Sequence, residues 1–160
     1  MTTPCLPFTL QICADLKEQW KGAVEQLLFF NPQQVLWVNQ IRAAVKAYGN
    51  PRIHVVDHRL RITVGHNITV GTLFALVNST EGEALAGILL FLRKATGLIC
   101  LHISIGKIYS SRGHYAHLRV TNHLLDSLRS IGSRIVGVDH IEVFYNRMGW
   151  LKLPLSIHLV

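Results

Sequence analysis

The stretch 98–150, LICLHISIGKIYSSRGHYAHLRVTNHLLDSLRSIGSRIVGVDHIEVFYNRMGW, concentrates the residues best suited to chemistry. An apolar, strand-like run leads into Arg112-Gly113, and that loop leads into a helix pattern. The first turn of a helix carries backbone N–H groups without carbonyl partners and a partial positive charge, which together favour a phosphate group. Arg112, Arg119 and Lys107 add formal charge beside that turn. Across 101–105, strand alternation puts His102 and Ser104 on one face and the apolar residues on the other. His102 has two readings. It is either a packed structural histidine or a base, since imidazole titrates near enough to neutrality to take a proton from an ammonium group. Asp139, His140 and Glu142 are further titratable candidates. The nine histidines show no HExxH pattern and the three cysteines no CxxC pair, so a metal site is not expected.

Around these residues the chain changes period twice. Leu16, Trp20, Val24, Leu27 and Leu28 recur at helical steps, which predicts a helix over 14–30. Asn31-Pro32 is then read as a cap and first position of a second helix, ended by Gly49. From 52 the pattern becomes β: a hairpin of 52–56 and 59–64 turning at Asp57-His58, then strands over 69–77, 84–93 and 98–108 joined by short turns. A helix is predicted over 116–131 with Gly132 as its stop, followed by a strand at 134–138, a helix at 141–148 and a last strand at 153–160. Helix-helix, antiparallel strands, helix, strand, helix, strand describes an α+β fold, with an N-terminal helical segment (1–51) packed on a core of residues 52–160.

With 160 residues, 49% hydrophobic and 16% charged, the chain has the composition of a packed globular domain. Its mean hydropathy is +0.30, yet the apolar runs 84–92 and 98–105 are too short to cross a bilayer, and the N-terminus lacks a basic region before its apolar residues. The expectation is a soluble, cytoplasmic protein without a membrane partner. Sixteen Lys and Arg against nine Asp and Glu leave a charge of +7, which favours polyanions such as nucleic acid or a phosphorylated cofactor.

The strand–loop–helix unit resembles the GNAT superfamily of acyl-CoA-dependent N-acyltransferases. That family carries Q/R-x-x-G-x-G/A after its fourth strand, a helix with paired leucines ending at glycine, and a later F-Y-x-x-x-G-F/W segment. Here Arg112 stands at the Q/R position with Gly113 after it, Leu124-Leu125 lie in the helix, Gly132 closes it, and Phe144 to Trp150 supply the last segment. Tyr115 and His117 occupy the two glycine positions. The resemblance spans about residues 52–160 and implies that Arg112, Gly113, His114, Tyr115, Ala116 and His117 hold the pyrophosphate of an acyl-CoA, with the main chain at Ile108 stabilising an oxyanion. It also implies that Tyr145 protonates the departing thiolate, and it favours His102 as the base. The implied reaction passes an acetyl or other acyl group to an amine; the basic charge of +7 separately hints at an acidic or nucleic-acid-bearing acceptor. The alternative is a non-catalytic module of the same fold that recognises a protein or nucleic acid.

Overall fold

A computed structural model describes residues 9–32, 38–145 and 149–155. Strands β1 (Thr9–Cys13), β5 (Gly71–Ser79), β6 (Gly82–Lys94), β7 (Gly97–Ile105), β8 (His140–Tyr145) and β9 (Gly149–Pro154) form one sheet in the order β1-β5-β6-β7-β8-β9. All neighbours are antiparallel except β7 and β8. A smaller antiparallel sheet contains β2 (Pro51–Val56), β3 (Arg59–Val64) and β4 (Ile68–Thr69). With helices α1 (Lys21–Phe29), α2 (Val38–Tyr48) and α3 (Val120–Ser133), the architecture is α+β.

Both faces of the large sheet are covered, which is why its middle strands read as nearly unbroken apolar runs. On one face Val24, Leu27 and Leu28 of α1, Ala44 of α2 and Leu60, Ile62 and Val64 of β3 pack on Phe74, Ile88, Leu90, Ile99 and Leu101. On the other face Val120, Leu124 and Leu128 of α3 pack on Leu73, Ala75, Leu89, Leu98, Cys100 and Ile141. Gly132 lies buried in that second layer, and a Cβ there would come within 2.7 Å of Leu155. Its small size permits close helix packing, while α3 itself runs one residue further, to Ser133.

Four expectations need correction. The 14–30 segment is not one helix: β1 precedes it and pairs with β5, Leu16 bonds to β3 through Leu60 N–H, and α1 begins only at Lys21. The helix over 116–131 starts at Val120, after a separate 3-10 turn at Ala116–Leu118. Residues 134–138 form consecutive turns (Ile135 N–H to Gly132 O, Val138 N–H to Ile135 O), not a strand. Residues 141–145 are extended in β8, which pairs with β7 on one side and β9 on the other, so no helix forms there. The hairpin at Asp57-His58 is as read, with both turn residues at positive φ. The last strand, β9, lies earlier than read, and 156–160 fall outside the described residues.

Candidate functional site

The loop between β7 and α3 is tightly wound on itself. Lys107–Tyr109 make a 3-10 turn. Gly113 N–H then donates to Ser110 O (2.8 Å), Tyr115 N–H to Ile108 O (2.7 Å) and Ala116 N–H to Gly113 O (3.2 Å). These amides are among those the family resemblance assigns to a pyrophosphate, and here the loop's own carbonyls take them. Gly113 has a steric reason of its own: a Cβ would lie 2.3 Å from Ile108 O and 2.4 Å from Lys107 O. Close backbone contact within the loop is thus what requires glycine.

The side chains of the loop face outward or stack on each other. Lys107, Ile108, Arg112, His114 and His117 are exposed, while Tyr115 and Ala116 are half-buried. Tyr115 stacks on Tyr109 with ring centroids 5.7 Å apart and meets His114 edge-on at 4.9 Å. Burial, with Tyr115 adding to it, pushes the Tyr109 phenol above its ordinary pKa. Tyr115, at a family glycine position, therefore anchors an aromatic stack. At the end of the loop Arg119 adopts the left-handed conformation (φ +50°) and gives no side-chain cap to α3. The first-turn amides of α3 have no intrahelical acceptor by the geometry of the helix.

The strand before the loop carries the second feature. Its parallel ladder with β8 is three residue pairs long, from Gly97–His140 to Ile99–Glu142. Cys100–Ile105 continue along β6 but lie beyond that ladder. Within this run Leu90 opposes His102 while Phe91 opposes Cys100, so Leu101 is the extra residue of a β-bulge. The bulge shifts the alternation. Ile99 and Leu101 face α1, and so do His102 and Ser104, leaving Cys100, Ile103 and Ile105 toward α3. The sequence reading placed His102 and Ser104 together correctly but put Leu101 on the opposite face.

Ser104 is buried and donates to Leu27 O of α1 at 2.5 Å. Asn31 donates to Ser104 Oγ at 2.7 Å and to Ile105 O at 2.8 Å. Asn31 therefore clamps the end of α1 to β7, while the helix start it is read as capping lies in 33–37, outside the described residues.

His102 is 6% exposed, and its Nε2 is buried without a hydrogen-bond partner. Burial pushes its pKa down to about 4, so the ring is neutral at pH 7 and only weakly basic. It lines a cavity of about 190 Å³. Leu28 and Phe29 of α1, Ala44 and Tyr48 of α2, Val64 of β3 and Leu90 of β6 form much of the wall. Two glycines fix one end of this space: a Cβ on Gly49 would fall 2.5 Å from Gly65 Cα, so the end of α2 meets the end of β3 backbone to backbone. Apolar spacing in the sequence signalled the helices and strand, but no local signal marked the cavity between them.

The remaining candidates lie elsewhere. His140 bridges Asp139 and Glu142, contacting Asp139 through Nδ1 and Glu142 through Nε2 at 3.2 Å. Asp139, with Glu142 assisting, raises the His140 pKa, and the His140 contact lowers that of Asp139. The ring rests where a Cβ of Gly97 would be, 2.5 Å from Nε2. Gly97 is five residues before His102 on β7, about 16 Å of extended chain, so this cluster and the cavity are separate. Tyr145 ends β8, opposite Gly149; its side chain, like Trp37 and Cys5, lies outside the described residues. Phe144 and Trp150 pack edge to face at 5.5 Å. Among the described residues no cluster of three or more His, Cys, Asp or Glu could hold a metal ion, and no helix is long and apolar enough to cross a membrane.

Compared with known proteins, the chain matches no family model, no curated protein and no solved structure at a significant level.

Proposed function

We propose that this chain is an acyl-CoA-dependent N-acyltransferase of the GNAT type. The observation carrying the reading is the short parallel ladder between β7 and β8, which leaves Cys100–Ile105 extended beyond it and running directly into the Arg112-Gly113 loop. Backbone groups along such a strand can hydrogen-bond an extended pantetheine chain as a further strand would. With the Gly113, Tyr115 and Ala116 amides engaged internally, the diphosphate would rest on the first-turn amides of α3 and on Lys107, Arg112 and Arg119.

In the reaction the amine nitrogen bonds to the acyl carbon, the C–S bond breaks, and the amine proton lost is balanced by protonation of the CoA thiolate. His102, with its pKa near 4, is too weak a base to deprotonate an alkylammonium efficiently. The acceptor would therefore react after losing its proton to solvent. Tyr145 is the proposed proton donor to sulfur, a role that rests on its match to the family segment.

A second reading, a non-catalytic binding module, is favoured by one observation: the loop closes through its own Tyr115–Ile108 and Gly113–Ser110 bonds. Calorimetric titration with acetyl-CoA separates the two. Saturable binding by the native chain, with thiol release on adding amines, supports the enzyme. Binding gained only in the Tyr115→Gly/His117→Gly variant would favour the module and sink the enzyme reading.

A further inference from the structure

The smaller sheet carries charge of one sign on one side. In β3, Leu60, Ile62 and Val64 are buried in the core, so alternation turns Arg59, Arg61 and Thr63 to the opposite, outer face. The register of β2 on β3 sets Arg52 opposite Thr63 and His54 opposite Arg61 on that outer face. His54 Nε2 and Thr63 Oγ1 lie within hydrogen-bond distance across it, at 2.9 Å. An antiparallel bridge on the far edge of β3 places Lys17 opposite Arg59 and adds a fourth cation. Lys17, Arg52, Arg59 and Arg61 are all exposed.

Like charges on neighbouring strands repel, and an acid between them relieves the repulsion. Strands β2, β3 and β4 contain no acid. Residues 26–80 hold five Lys or Arg against one acid, Asp57. All nine Asp and Glu of the chain are among the described residues. Those nearest in the chain lie at the turn end of the hairpin, where Asp15 pairs with Arg59 and Glu18 bonds to His58. Lys17, Arg52 and Arg61 are left without an acidic partner among the described residues.

Arg52 and Lys17 stand at opposite corners of the face, with Arg61 between them. Two strand spacings across and four residues along put their Cα atoms about 16 Å apart. No Phe, Tyr or Trp occurs in β2, β3 or β4, so the face lacks the rings on which single-stranded bases stack. A duplex displays its phosphates outward and needs no such rings. The major groove of B-form DNA, about 12 Å wide, accommodates a two-stranded β-ribbon. Long cationic side chains at corners about 16 Å apart reach phosphates on both rims of it. The major groove of an A-form RNA duplex is deep and narrow and offers no such span.

We propose that the outer face of the β2–β3 ribbon binds double-stranded DNA across its major groove, with Lys17, Arg52 and Arg61 on backbone phosphates and no reading of base sequence.

The test uses the full chain without acetyl-CoA and a labelled DNA duplex of mixed sequence, followed by fluorescence anisotropy. Three phosphate contacts predict affinity falling about 40-fold between 50 and 200 mM salt. Arg52→Gln/Arg61→Gln should weaken binding and leave only about a fourfold fall over that range. Arg52→Lys/Arg61→Lys should restore the salt dependence. Lys94→Gln/Lys152→Gln removes the same charge from exposed positions on the large sheet and should leave the salt dependence unchanged. Thermal melting checks that each variant is folded, and the native salt dependence needs no variant. No saturable binding at 50 mM salt, an equal loss in the Lys94/Lys152 variant, or equal or tighter binding of a single strand or an RNA duplex would overturn the proposal. Tighter binding to vesicles of anionic lipid would do the same. Acetyl-CoA binding is measured separately, so failure here leaves the acyltransferase reading standing, and the reverse also holds.

Discussion

The Asn31–Ser104 clamp lends itself to a double-mutant cycle. Ser104 satisfies Leu27 O, one of the last carbonyls of α1, which have no partner inside the helix. Asn31 bonds to Ser104 Oγ and to Ile105 O. Ser104→Ala removes two bonds and strands two buried groups, Leu27 O and one Asn31 N–H. At about 0.5–1.5 kcal/mol net per bond, and about 1–3 kcal/mol for a buried group left unsatisfied, the expected loss is about 3 kcal/mol. Asn31→Ala removes the bonds to Ser104 Oγ and Ile105 O, and the expected loss is about 2 kcal/mol. The Asn31–Ser104 bond is lost in both single variants, so the double variant should cost about 4 kcal/mol, roughly 1 kcal/mol less than additivity predicts. Urea denaturation at constant slope measures each corner, and the single variants should melt about 4–12 °C lower. Strict additivity, to within about 0.3 kcal/mol, would refute the clamp as a coupled unit.

Three further outcomes are expected. Because the folded pKa of His102 is about 4 against an ordinary 6.5, the unfolded chain takes up a proton that the folded chain refuses. Its contribution therefore falls as pH drops from about 6.5 to about 4, by about 3 kcal/mol. Denaturation across that window should be steeper for the native chain than for His102→Leu, and equal slopes would contradict the burial argument. Gly113→Ala, forcing a Cβ against Ile108 O, should cost about 1–3 kcal/mol and speed hydrogen exchange at the Tyr115 amide; unchanged protection would show that the loop is not closed by that bond. Asp139→Asn should lower the His140 pKa, since Asp139 is the main cause of its rise, and an unmoved NMR titration would remove Asp139 from that role.

Local periodicity made much of this fold legible. The Asp57-His58 hairpin, the strands β5, β6 and β7, and α3 each bury residues at the repeat their sequence displays. The α+β class followed from their order. The His102–Ser104 face was legible too, since alternation resumes after the bulge. Where local signals were ambiguous, pairing with distant segments decided the outcome. Ile141, Val143 and neighbouring polar residues fit a short helix or a strand, and they are extended because β7 and β9 flank them. Thr9–Cys13 reads as a strand only because β5 presents an edge to it.

The candidate sites divide in the same way. The residue types themselves, Arg112-Gly113 before a helix and a histidine in an apolar strand, stand in the sequence. Whether a backbone amide is free, or an imidazole nitrogen unpartnered, depends on which carbonyls and side chains the fold brings within hydrogen-bond reach. Tyr115 N–H found Ile108 O seven residues back, and the Leu101 bulge kept His102 on the α1 face. The cavity belongs to tertiary structure alone, since its walls come from α1, α2 and strands β2, β3, β6 and β7, far apart in the chain. Sequence set the chemistry these groups can perform, and packing set the solvent, partners and space in which they perform it.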